Sequence, residues 1–134
     1  MAPRLWKVGA ANLNDAMQDA IPQLTLTPTD NANGTGDVLI TVKDAAGNAL
    51  AGRFAVNVWA GNADMAMYDV QEGFGIVAGS GVMQGWEENA WGLVITAADG
   101  TASVRLTLTG GGTRYVMASL AGRIVSTSLV ITDP

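Results

Sequence analysis

From Gln23 to the end of the chain, apolar residues recur at every second position, in short runs separated by Gly, Asn and Asp. This alternation constrains the fold more than any other feature of the sequence. A period of two puts neighbouring side chains on opposite faces of a strand, so each run can bury one face and solvate the other. Gln23-Leu-Thr-Leu-Thr27 alternates in this way, and Val38, Ile40 and Val42 share a face opposite Asp37, Leu39, Thr41 and Lys43. Phe54, Val56 and Val58 lie opposite Ala55, Asn57 and Trp59; Ala102, Val104, Leu106 and Leu108 lie opposite Ser103, Arg105, Thr107 and Thr109. Tyr115 to Leu120 and Ile124 to Ile131 read as two further strands. They are joined through Ala121-Gly122-Arg123, a hairpin signal because Gly accepts a positive φ without steric cost. Turns are expected at Asp44 to Asn48, Ala98 to Gly100 and Gly110 to Gly112. Short strands at this spacing predict an all-β chain folded as an antiparallel sandwich.

One segment departs from that period. Leu13, Ala16, Met17, Ala20 and Ile21 fall on one stripe at helical spacing, Asn12 can cap it, and Pro22 stops it, which predicts a helix over 12–21. A helix of about ten residues is marginal alone, so the stripe is expected to pack on its own domain or on a neighbouring subunit. The stretch from Pro28 to Gly36 reads as a turn-rich linker. The organisation expected is therefore an arm with helix and linker over 1–35 and a sandwich over 36–134 that carries an insertion at 61–92. Within the insertion, a short strand is expected at Gly75 to Met83 and a loop from Trp86 to Trp91.

Composition narrows the chemistry. The 134 residues include no Cys and no His, which removes disulfides, thiolate and imidazole metal sites, a Cys nucleophile and the commonest general base. A net charge of −5 has the wrong sign for a protein that neutralises phosphates, so nucleic acid is not an expected partner. The charge is uneven: residues 54–104 hold six carboxylates and no Lys or Arg. No stretch reaches the about 18 consecutive apolar residues of a spanning helix, and no signal-peptide core is read near the N-terminus; neither a membrane nor export is expected.

Val38-Leu-Ile-Thr-Val-Lys-Asp-Ala-Ala-Gly-Asn-Ala-Leu-Ala-Gly52, followed by Phe54, Val56 and Val58, resembles the opening strands of the bacterial immunoglobulin-like domains of invasins, intimins and many phage structural proteins. Thr96-Ala-Ala-Asp-Gly-Thr-Ala-Ser-Val-Arg-Leu-Thr-Leu-Thr109, then Gly112-Thr-Arg-Tyr-Val-Met-Ala118, is similar to the same family's final strands. The resemblance implies an immunoglobulin-like antiparallel β-sandwich, here preceded by an N-terminal arm containing one short helix. Residues 61–92 and 1–22 have no plain counterpart in the family, and such a scaffold does not by itself imply a function.

Asp64, Asp69, Glu72, Glu87, Glu88 and Asp99 supply carboxylates, but a glycosidase pair needs a defined separation across a cleft that sequence does not show; no catalytic residue is assigned. Asp30 to Asp37 offers oxygen ligands without the order of a calcium loop, and Asn, Gly and Asp form such turns without an ion; neither metal nor cofactor is expected. The tryptophans say more. Trp59 is expected to point outward, and Trp86 and Trp91 lie in the insertion, where they either cluster with Trp59 as the insertion folds back or anchor a partner. A carbohydrate platform would use the same residues.

Immunoglobulin-like modules of this family are usual in secreted adhesins, yet this chain reads as a single copy without signal peptide or anchor. The expectation that reconciles these features is a non-enzymatic phage virion structural protein, a capsid decoration (cement) protein assembled in the host cytoplasm. Its partner would be the major capsid protein or another virion protein. Arg4, Trp6, Lys7, Leu13, Met17 and Ile21 would dock the arm on the shell, with Trp59, Trp86 and Trp91 as further partner-binding residues. The alternative is a tail or fibre accessory module binding host-surface glycan, and a second copy of the chain is the remaining partner left open.

Overall fold

The computed structural model describes residues 22–134. They form nine strands: β1 (Gln23–Asp30), β2 (Thr35–Lys43), β3 (Ala55–Gly61), β4 (Gly73–Ile76), β5 (Val82–Glu87), β6 (Trp91–Ile95), β7 (Thr101–Thr107), β8 (Gly112–Leu120) and β9 (Arg123–Ile131). All strand pairs are antiparallel, in a four-stranded sheet of order β1-β2-β7-β4 and a five-stranded sheet of order β5-β6-β3-β8-β9. No helix occurs among the described residues; the helix expected over 12–21 lies outside them.

The alternation read from the sequence is what closes the sandwich. Val38, Ile40 and Val42 of β2 and Ala102, Val104 and Leu106 of β7 are buried from one sheet, and Val56, Val58 and Ala60 of β3, Val94 of β6 and Val116 and Ala118 of β8 from the other. Phe54 and Leu108, expected in the core, are partly buried against it. Each buried Val or Leu contributes roughly 1.5–3 kcal/mol relative to exposure. Thr96, wholly buried, has its hydroxyl satisfied twice: it donates to the Gly52 carbonyl at 3.0 Å and accepts from the Phe54 N–H at 2.8 Å. The β8–β9 hairpin turns through Ala121 (φ 53°) and Gly122 (φ 80°), two consecutive left-handed residues as a tight hairpin with right-handed strand twist requires.

Three boundaries differ from expectation. Residues 23–30, assigned to the arm, pair with β2 along their whole length, Gln23 opposite Lys43 and Asp30 opposite Gly36. Pro28 had suggested a linker, but β1 is a sheet edge, where a residue without an N–H is tolerated. The single strand expected at Gly75 to Met83 is two strands in different sheets. Val77 still donates its N–H to the Ser103 carbonyl of β7 (2.8 Å), and the turn that follows is clamped to β7 by Ser80, whose hydroxyl accepts from the Ser103 N–H at 3.0 Å and lies 2.8 Å from the Val77 carbonyl to which it donates. The loop expected from Trp86 to Trp91 is a hairpin: Trp86 belongs to β5 and Trp91 starts β6, with Asn89 at φ 59° in the short turn between them.

Candidate functional site

Alternation has a second consequence in the five-stranded sheet: with Val56, Val58 and Ala60 inward, Trp59 faces outward. The register sets Trp59 opposite Trp91 of β6 on one side and Met117 of β8 on the other. Met117 is fully buried although it lies on this outer face, so something covers it. The cover is the segment between β3 and β4, which folds back over the sheet. The Trp59 indole N–H donates to the Ala66 carbonyl (3.0 Å), the Asp69 N–H to the Ala60 carbonyl (2.9 Å), and the Ser126 hydroxyl of β9 to Asp64 (2.6 Å). Buried Gln71 pins the far end: its amide nitrogen donates to Asn62 and to the Asp69 carbonyl, and its oxygen accepts from Arg114.

The result is an apolar groove of about 400 Å³, lined by Trp59, Met65, Ala66, Met67, Tyr68, Trp91 and Ile124. Its aromatic rings form a tilted series: Tyr68 and Trp91 centroids are 5.9 Å apart, and Trp91 and Trp86 are 6.1 Å apart. Apolar side chains here are wet, with Met67 81% and Ile124 49% exposed in the lining and Trp86 53% exposed beside it. Large apolar side chains exposed side by side, rather than scattered, mark an interaction surface. Carboxylates border it in sequence, Asp64 and Asp69 bracketing the 65–68 wall and Glu87 and Glu88 following Trp86.

Of the two possibilities for the tryptophans the structure shows the clustering: Trp59, Trp91 and Trp86 come together on one face, and Trp86 remains half-exposed. Met65, Met67, Tyr68 and Ile124 were not singled out from sequence. The signal available was Asp64-Met-Ala-Met-Tyr-Asp69, a run of large apolar residues between carboxylates that belongs to no strand pattern. Arg4, Trp6, Lys7, Leu13, Met17 and Ile21 lie outside the described residues.

The remaining carboxylates are engaged elsewhere. Asp30 accepts from the Thr132 hydroxyl and N–H and from the Ala32 N–H, which hold its carboxyl below the usual range. The guanidinium of Arg105, 2.8 Å from Asp37, does the same there, and Asp37 in turn raises Arg105. Glu72 is lowered by the Thr109 hydroxyl and N–H, and Asp99 by those of Thr101. Asp30, Glu72 and Asp99 serve as turn or loop clasps and Asp37 makes a cross-strand ion pair from β2 to β7, and among the described residues no three acidic side chains converge as metal ligands would.

No family model matches the chain, and no curated protein matches it. Solved structures do. A cohesin module from a family 33 glycoside hydrolase of Clostridium perfringens is 10% identical, with 86% of this chain and 99% of that one covered and a TM-score of 0.49. The D00-D0 domain of intimin is 22% identical, with 86% and 49% covered and a TM-score of 0.44. A β-glucuronidase of glycoside hydrolase family 2 is 18% identical, with 85% and 12% covered and a TM-score of 0.47.

Proposed function

We propose that the chain is a non-enzymatic, immunoglobulin-like binding module that meets a protein partner through the outer face of its five-stranded sheet. The observation that carries this reading is the groove and its surroundings: an apolar, aromatic and methionine-rich surface on one sheet, bordered by acids. Buried aromatic anchors dominate the energetics of protein interfaces, and methionines adapt to the partner's shape. A sugar would need hydrogen-bonding groups aimed into the groove. The indole N–H of Trp59 is already given to Ala66, and Met65, Met67 and Ile124 offer no strong ones, which leaves Tyr68 and Trp91 as the lining side chains able to hydrogen-bond a sugar.

Within this reading the chain is a virion structural protein, a capsid decoration protein whose partner is the major capsid protein. Support comes from the sequence resemblance to immunoglobulin-like modules of phage structural proteins. Co-sedimentation with empty capsids and, separately, with purified tails tests it. Saturable binding to capsids, weakened by Trp86→Ala and Met67→Ala, is expected. Binding to tails alone, competed by host glycan, would instead establish the accessory-module reading, and binding to neither would refute both.

A further inference from the structure

A further opening lies between the two sheets rather than on either face. β4 and β5 are end strands of the four-stranded and five-stranded sheets. A cleft of about 380 Å³ lies between them, lined by Phe74, Ile76, Met83 and Gly85, with Glu87 and Asn89 at one end. Gly85 accounts for the opening. Its partner across the ladder, Gly92, is buried, so Gly85 occupies an inward position. It is nevertheless exposed, and nothing lies within 4 Å of where a Cβ would stand. The inward positions that carry Val56, Val94 and Val116 elsewhere in this sheet have no side chain to match them here.

β5 is also the least protected of the sheet edges. An edge strand invites pairing with another chain unless it is covered or interrupted. β1 carries Pro28 and packs against β9, and the four-residue β4 gives its Phe74 N–H to the Asn89 side chain. Residues 82–85, the regular part of β5 before its irregularity, hold no Pro and no charge. Among the described residues their backbone bonds to β6 alone. A strand added there would lie about 4.8 Å beyond β5, over the cleft, and its alternate side chains would enter the cleft. Charge selects the strand. Glu87 and Glu88 are exposed beside the cleft and form no ion pair among the described residues. Residues 54–104 carry no Lys or Arg, and Arg105, opposite Gly75 on β4, is held by Asp37. A second copy would set one net charge of −5 against another. We propose that the β5 edge takes an extended segment of a partner protein, which sets an aliphatic side chain into the cleft beside Gly85 and a Lys or Arg against Glu87 and Glu88. This site lies on the edge and inner side of β5, apart from the groove on the outer face, so it goes beyond the proposed function and does not rest on it.

The probe is the peptide Lys-Val-Thr-Leu-Thr-Val-Lys, blocked at both ends and titrated into isotope-labelled full-length protein. The amides of residues 82–85, Phe74 and Ile76 should shift and show strand-type cross-relaxation to the peptide, while those of Met67 and Ile124 in the groove stay in place. The same peptide with both Lys replaced by Glu should not bind. Gly85→Leu puts a side chain into the open space, so the melting temperature should hold or rise while affinity falls about tenfold or more, because the peptide's aliphatic side chain loses its place. Glu87→Gln combined with Glu88→Gln alters two exposed side chains; it should weaken binding of the Lys peptide and flatten its salt dependence, which keeps the test decisive even where Gly85→Leu disturbs β5. No shift, shifts confined to the groove, equal binding of the Glu peptide, or undiminished binding by either variant would overturn the proposal. So would β5 shifts that grow with protein concentration in the absence of peptide, which would make the occupant a second copy. Capsid co-sedimentation, read through Trp86→Ala and Met67→Ala, is a separate assay, so failure of one site leaves the other interpretable.

Discussion

The outward aim of Trp59 depends on the register of β3, and a pair of adjacent substitutions tests that register. Val58 is fully buried in the central strand of the five-stranded sheet, opposite Gly92 on β6 and Ala118 on β8. Val58→Ala removes two methyl groups, worth roughly 1.6 kcal/mol of transfer free energy at about 0.8 each. The small residues on both sides cannot swing in to fill the space, so a cavity cost adds to this and the total should be about 2–3 kcal/mol. For a domain of this size, at roughly 4 °C per kcal/mol, the melting temperature should fall by about 8–12 °C. Asn57, one residue earlier, is exposed and faces the same side as Trp59; Asn57→Ala should stay within about 0.5 kcal/mol. Both can be measured by circular dichroism melting. Because a one-residue slip exchanges the two faces of a strand, a loss for Asn57→Ala equal to or larger than that for Val58→Ala would refute the register, and the outward groove with it.

Thr96→Val should cost about 1–3 kcal/mol, read in the same melts, because it leaves the Gly52 carbonyl and the Phe54 N–H without their buried partner; Thr96→Ser should restore most of it. Gly100→Ala should lower the melting temperature sharply, since Gly100 sits at φ +80° and an added Cβ would meet the Leu50 carbonyl oxygen at 1.9 Å. The carboxyls of Asp30, Asp37, Glu72 and Asp99 are all lowered in the folded state, so their contribution to stability is complete above the ordinary carboxylate range and is lost as pH falls through and below it. Melting temperature should therefore drop on acidification below about pH 4, and Asp37→Asn should make the drop shallower. Trp86→Ala should leave the melt nearly unchanged, because the side chain is half-exposed, while reducing partner binding in the sedimentation assay.

What could be read from the sequence, and what could not, follows one physical line. β2 and β7 were legible because each sets a buried apolar face against an opposite face that is largely polar, as with Val38, Ile40 and Val42 against Asp37, Thr41 and Lys43. β5 and β6 were not. Trp91-Gly-Leu-Val-Ile95 is apolar on both faces, because Val94 enters the core while Trp91, Leu93 and Ile95 lie on the outer side, so the period of two that marks a strand disappears. Gly85 adds an irregularity in the β5–β6 register that interrupts the pattern once more. β1 was obscured by a proline that an edge strand accepts. The groove itself was out of reach because Met65 to Tyr68 belong to no element and join Trp59, Trp91 and Ile124 only through long-range folding.

The loss of alternation in β5 and β6 and the presence of the groove have the same cause. A sheet face left to water keeps polar residues, and the outer side of the four-stranded sheet does: Thr25, Thr41, Thr101, Ser103 and Thr107 share it with the Asp37–Arg105 ion pair, and Leu39 is an exposed apolar exception there. The outer side of the five-stranded sheet carries Trp86, Trp91, Met117 and Ile124 instead, together with the folded-back methionines. Neither sheet needs such residues for the core, which the inward positions already fill. The difference between the faces is therefore a property of the outside of the molecule, and it makes the module one-sided: under the proposed function a partner would cover the five-stranded sheet, and the four-stranded sheet would remain toward solvent. Substitutions that add charge at Leu39 should then be tolerated in binding as well as in folding, whereas the same change at Ile124 should not be tolerated in binding.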